Sequence, residues 1–144
     1  MEQWKGNKLI AKRFIEDIWG KGDYTLESAL IDANLIDHNA MPGAPPGRTG
    51  HHQMLTMVRA AFPDMVLKIE HIIAEGDIVV DHWTMTATHK GPMMGTPPTG
   101  RRVNLSGMDV LRIKGDKIVE MWHIEDNAGM MMQLGMIPIP GMPA

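Results

Sequence analysis

Pro63 divides this sequence into two parts with different hydrophobic periods, and that division constrains the fold more than any other feature. Before it, apolar residues recur every three or four positions. Leu9, Ile10, Ala11, Phe14, Ile15, Ile18 and Trp19 make one wide helical stripe, which Gly20 and Gly22 end. Asp23 or Thr25 can cap a short second helix carrying Leu26, Leu30 and Ile31, because a short oxygen-bearing side chain satisfies the free amides of a first turn. In "HHQMLTMVRAAF" the residues Leu55, Val58 and Phe62 share a face. Pro63, which has no amide proton, stops this third helix. Between the second and third helices "LIDHNAMPGAPPGRTG" reads as a short extended piece followed by a Pro/Gly loop.

After Pro63 the period becomes two. "MVLKIEHIIAEGD", "IVVDHWTMTATH", "RRVNLSGMDVLRI" and "KIVEMWHIED" alternate and are rich in β-branched residues, which predicts four strands. "AEGD" and "KGDK" suit tight hairpin turns, since Gly and Asp accept turn geometry. "KGPMMGTPPTG" is too rich in Gly and Pro for a plain turn and predicts a loop over one end of the sheet. Helices first and an antiparallel meander afterwards imply an α+β fold. No internal repeat is visible, and the tail "GMIPIPGMPA" is too Pro-rich to be regular.

A chain of 144 residues has room for one core, so a single domain over residues 1–144 is expected. Its 14 basic and 17 acidic residues form no Lys/Arg block, which argues against nucleic acid as a partner. The absence of cysteine removes disulfide scaffolds, thiolate zinc sites and cysteine nucleophiles together, and fits a reducing compartment. No apolar run approaches the roughly 20 residues of a membrane helix, so no membrane partner is expected. The charged opening "MEQWKGNKLIAKRF" has no signal-peptide core, which predicts a cytoplasmic protein. Fifteen methionines stand against two Phe and one Tyr, so the packing is adaptable: the methionines either line a cavity for an apolar ligand or simply fill the core.

Seven histidines raise the question of a metal. No His-x-His occurs, and no pair four apart on a helix stands beside a third ligand; His51 and His52 are adjacent and point about 100 degrees apart on a helix. No metal is expected. Neither "GPMMG" nor "GTPPTG" is a phosphate loop, and Ser28 and Ser106 lack the turn of a hydrolase nucleophile.

Three stretches carry a family resemblance: "THKGPMMGTPPTGRRV" at 88–103, "GMDVLRIKGDKIVEMW" at 107–122 and "DNAGMMMQLG" at 126–135. The Thr-His-x-Gly and Gly-x-x-x-Thr-Gly pattern, followed by a Trp, Asp and Gln-Leu-Gly ending, resembles the SnoaL-like polyketide cyclases of the nuclear transport factor 2-like (cystatin-like) superfamily. The resemblance implies a cone-shaped, curved antiparallel β-sheet with N-terminal helices packed against it. It also implies an aldol-type ring closure of an apolar carbonyl substrate inside the cone, without metal or cofactor. The aspartate just before the last short helix, here Asp126, would be the acid/base. Asn39 in "DHNA" is a loose match to another ligand-contacting position of these cyclases.

The residues around Asp126 allow two roles. An acid/base needs an apolar pocket that raises its pKa, whereas an N-cap accepts helix amides that lower it. Strict alternation groups Ile118, Glu120, Trp122, Ile124 and Asp126 on one face and Val119, Met121, His123 and Glu125 on the other. His123 is then expected to point away from Asp126 unless a bulge intervenes. His123, His89 and Asn39 are candidates for binding or polarising a carbonyl, and Trp122 and Trp83 for the pocket walls. Two other functions stay open. One is a non-catalytic small-ligand-binding or assembly module of the same fold. The other is a hydratase or epoxide-hydrolase-like enzyme, which needs further carboxylates; Asp109, Glu120 and Glu125 are nearest in sequence. The expected partners are a small apolar carbonyl-containing ligand and a second copy of the chain, since an open sheet face suits a homodimer or a dimer of dimers.

Overall fold

The computed structural model describes residues 5–142, so expectations for residues 1–4 and for the last two residues of the Pro-rich tail lie outside it. Helix α1 (Gly6–Arg13) runs into a π-helical segment, Phe14–Gly20, and together they carry the predicted stripe. Ile10, Ala11, Phe14, Ile15 and Ile18 are buried on it. Removing Phe14 and Ile18 from water stabilises the packing by about 1.5–3 kcal/mol each, enough to override the weak helix propensity of β-branched Ile. Asp23 accepts the amide of Thr25 and starts a 3-10 turn, Tyr24–Leu26, that leads into α2 (Glu27–Leu30). Helix α3 (Gly47–Ala61) ends just before Pro63, as the sequence requires. None of these helices is long and apolar enough to cross a membrane.

The sheet has the order β1-β5-β4-β3-β2. The predicted strands appear as β2 (Val66–Glu75), β3 (Ile78–Thr88), β4 (Arg102–Lys114) and β5 (Lys117–Glu125), paired antiparallel. Gly115 and Asp116 both take positive φ in the β4–β5 turn, the geometry of a two-residue hairpin with right-handed twist. One element departs from the antiparallel expectation. The short extended piece becomes β1 (Ile31–Asp37), which lies parallel to β5 at the sheet edge. Such pairing needs a long return, and α3 with β2, β3 and β4 supplies it.

Two bulges bend the sheet. Glu70 is the extra residue in β2, and Val119 is the extra residue in β5, where Arg112 pairs with Glu120 but Ile113 pairs with Ile118. The second bulge corrects the alternation expected for β5: Ile118 is buried on the concave face with Met121 and His123, not grouped with Glu120. The helices cover this concave face, and the last helix, α4 (Asn127–Gln133), closes over β4. The result is an α+β fold with a curved, unclosed sheet.

Candidate active site

A cavity of about 320 Å³ opens between the helices and the concave face of the sheet. Ten of the fifteen methionines line it, with Phe14, Trp19, Val58 and Leu105. Flexible thioether walls adapt to an apolar guest at little strain. The polar groups in its wall are few: Asp109, His123 and Glu125 come from neighbouring strands, Asn39 from just beyond the end of β1, and Asn127 from the start of α4.

Strand register brings these groups together. Asp81, Asp109 and His123 are direct cross-strand partners on β3, β4 and β5, so they form one row on the concave face. Asp37, the last residue of β1, reaches the same place from the edge. His123 lies between two carboxylates: its Nδ1 is 2.6 Å from Glu125 Oε1 and its Nε2 is 3.0 Å from Asp37 Oδ1. Burial opposes charge on this imidazole, but the hydrogen bonds to Asp37 and Glu125 outweigh it and push His123 up to about 10. Both ring nitrogens therefore carry protons at neutral pH. Burial likewise opposes ionisation of Asp37, yet the bonds from His123 and from the Asn39 amide hold it below the usual carboxylate range.

Asp109 sits on the other side of His123. Burial pushes it up to about 6, although an Asp81 hydrogen bond and the charge of His123 pull the other way. Trp83 Nε1 donates to Asp109 Oδ2 at 3.1 Å. That bond depends on Gly107, the cross-strand partner of Trp83, because a Cβ there would lie 2.8 Å from Trp83 Cε2 and closer still to Cζ2. Gly107→Ala is expected to push the indole off Asp109 and to destabilise the fold by about 1–3 kcal/mol, the usual penalty of overpacking. Thermal unfolding and the indole N–H resonance, identified with Trp83→Phe, check this; an unmoved resonance with unchanged stability would contradict it.

The sequence candidates separate into two groups. His123, Asn39 and Trp83 meet at the cavity. Asn39 Oδ1 accepts the backbone N–H of His123 at 2.9 Å, which fixes the amide at the rim. Asp126, Trp122 and His89 lie elsewhere. Asp126 is exposed, stands outside the cavity wall, and accepts the Gly129 N–H at 2.9 Å as the N-cap of α4. The apolar burial that an acid/base requires is not met there. A Cβ on Gly129 would collide with this carboxylate, so the glycine belongs to the cap.

Trp122 corrects the expected wall. It is on the convex face, stacked on His38 at 4.5 Å and 5°, because the face that holds His123 is the concave one. His89 is also corrected from the loop mouth to the interior. It is fully buried beside Phe62, and its Nδ1 accepts the Thr99 N–H at 3.1 Å, tying down the Gly/Pro loop. The site residues not singled out were Asp37, Asp81 and, as a central group, Asp109. For Asp81 and Asp109 the signal is in the sequence: an acidic residue replaces the apolar one at the inward phase of "VVDHWTM" and "GMDVL". Among the described residues, no three His, Asp or Glu side chains are arranged to hold a metal ion.

A curved, unclosed sheet with helices over an apolar cavity, and a polar row on its concave face, is an α+β architecture of the nuclear transport factor 2-like type. The chain belongs to the SnoaL-like polyketide cyclase family, whose profile matches residues 9–134. Three solved structures illustrate the likeness. A proposed polyketide cyclase from Acidithiobacillus ferrooxidans is 31% identical with a TM-score of 0.78, covering 94% of this chain and 99% of that one. IdmH, a proposed polyketide cyclase from Streptomyces antibioticus, is 29% identical with a TM-score of 0.79, covering 91% and 99%. AclR, a proposed hydroxylase from Streptomyces galilaeus, is 28% identical with a TM-score of 0.79, covering 93% and 84%. No curated protein matches the chain in sequence.

Proposed function

We propose that the protein is an enzyme that performs proton transfer on a small apolar carbonyl compound, leading to aldol-type ring closure, with Asp109 as the acid/base. The observation that carries this reading is a carboxyl group in an apolar cavity wall whose burial raises it to about 6, near the pH at which it would work. Asp109 removes a proton from the carbon next to a carbonyl; the C–H bond breaks, an O–H bond forms on Asp109, and the electron pair moves to the carbonyl oxygen. The enolate carbon attacks a second carbonyl, and the new alkoxide takes the proton back from Asp109. His123 has no N–H free for the substrate, since both already meet carboxylates; its part is to hold Asp37 and Glu125 together beside Asp109. The Asn39 side-chain N–H groups, oriented by the bond to His123, are the donors for the substrate oxygen. Asp126 caps α4 in this scheme.

The experiment is solvent-deuterium exchange of an apolar cyclic β-diketone followed by NMR. Protein-catalysed exchange supports the reading. Tight binding without exchange would leave the pocket as a carrier, the non-catalytic reading. The convergence of Asp109, Glu125 and Asp37 also favours hydration chemistry, in which Asp109 takes a proton from water instead of from carbon. Incorporation of labelled oxygen from water into an apolar epoxide identifies that case.

The convex face of the sheet exposes Ile36, Met108 and Ile124 beside the half-buried Trp122. These residues support the proposal of a homodimer joined through this face. Light scattering is expected to give about twice 16.0 kDa, and Ile124→Glu to return the mass to one chain. A wild-type mass of one chain at micromolar concentration contradicts it.

A further inference from the structure

Asp81 has no part in the chemistry just described, yet its carboxyl group is fully buried. Its exposure is 0%, and neither of its oxygens meets an N–H or hydroxyl donor among the described residues. Its neighbours on the concave side of β3 are Val79 and Trp83, its partner on β2 is Ile72, and α1 covers the same face with Ile10 and Ala11. Among the described residues the polar group it faces is Asp109, its cross-strand partner, within hydrogen-bond reach.

We propose that Asp81 is a positioning residue: a neutral carboxylic acid that keeps its own proton and donates it in a hydrogen bond to Asp109, so that Asp109 is the member of the pair that ionises. The inference rests on the reading of Asp109 as acid/base. An ionised Asp81 would have only another carboxyl to face, in an apolar surround, which is the least favourable state open to it. As an acid it has a donor, and Asp109 is the acceptor. The asymmetry of the row decides which partner holds the proton. Asp109 has the Trp83 N–H and the His123 cation beside it, while Asp81 has neither. Among the described residues, the titratable groups that act most on Asp109 are Asp81 through a hydrogen bond and His123 and Glu125 through their charges, and the one that acts on Asp81 is Asp109. In agreement, burial and then the charge of Asp109 push Asp81 up to about 10.

The device has a use at the site. An apolar cavity that raises a carboxyl far enough would leave it protonated and inactive as a base. One short, buried donor offsets that effect without opening the cavity to water.

Carboxyl-carbon NMR titration of the full chain without substrate tests this, in the wild type, Asp81→Leu and Asp81→Asn. The Asp81 signal is expected to stay at the protonated position through neutral pH while Asp109 titrates. In Asp81→Leu, which removes the donor, the Asp109 midpoint is expected to rise by about one pH unit or more. In Asp81→Asn the amide donates in place of the acid, and the midpoint returns to within about half a unit of the wild type. The acid limb of the turnover profile moves in the same order. An ionised Asp81 at neutral pH, or the same Asp109 midpoint in Asp81→Leu, overturns the proposal. If Asp81→Leu does not fold, the wild-type Asp81 signal alone decides. The titration needs no turnover, so loss of this proposal and loss of the catalytic reading, which Asp109→Asn turnover tests, remain distinct results.

Discussion

Replacing His123 with leucine is expected to destabilise the protein by about 3–5 kcal/mol at neutral pH, the cost of removing one partner from a buried ionic group. The loss is larger than the missing bonds suggest, because Asp37 and Glu125 are left facing each other with no cation between them. The pH dependence has a definite sign. His123 moves from an unfolded value near 6.5 to about 10 in the fold, so its contribution is complete below 6.5 and fades as pH rises through 10. Asp81 and Asp109 are also raised, to about 10 and about 6, and act in the same direction. Asp37 is lowered, so its contribution fades only in acid. Wild-type stability should therefore be greatest at mildly acidic pH and fall toward alkaline pH, and His123→Leu should flatten that fall. Urea unfolding across the range measures it; a loss below about 1 kcal/mol with parallel profiles would show that His123 is not held as a cation.

The second large effect concerns rate. Asp109→Asn keeps the shape of the side chain and an oxygen acceptor for Trp83, but it cannot take a proton. General acid/base groups supply on the order of 100- to 10,000-fold in rate, so turnover should fall by at least the lower figure. Folding stability should change little or rise, because the variant no longer buries a group that ionises. Activity of the wild type should appear as pH rises through about 6, where Asp109 loses its proton, and Asp109→Asn should lack that limb. Unchanged turnover would remove Asp109 from the chemistry.

Local patterns in the sequence carried the elements well, and tertiary pairing carried the site. The helical stripe from Leu9 to Trp19, the stop at Pro63 and the "KGDK" turn all rest on interactions within a few residues, and each has its counterpart in the fold. Trp122 and His123 show the limit. Alternation separates them onto opposite faces but does not say which face is concave, so of the two expected wall residues Trp83 lines the cavity and Trp122 does not. The parallel position of β1 was also out of reach, because nothing between Ile31 and Asp37 names β5 as its partner. Without that pairing, Asp37 and His123 are 86 residues apart and unrelated; with it they share a hydrogen bond. Asp126 illustrates the opposite case. The cap is legible from "DNAGMMMQLG" itself, while the competing role comes from resemblance to the SnoaL-like family.

The most direct test of the account compares two aspartates in one assay. Solvent-deuterium exchange into an apolar cyclic β-diketone would be followed with the wild type, Asp109→Asn and Asp126→Asn, each first shown to be folded. The account predicts that Asp126→Asn exchanges the carbon-bound proton at close to the wild-type rate, since asparagine caps a helix about as well as aspartate. It predicts that Asp109→Asn falls at least about 100-fold. Exchange retained in Asp109→Asn and lost in Asp126→Asn would contradict it, and would place the base at the mouth of α4 instead of in the buried row.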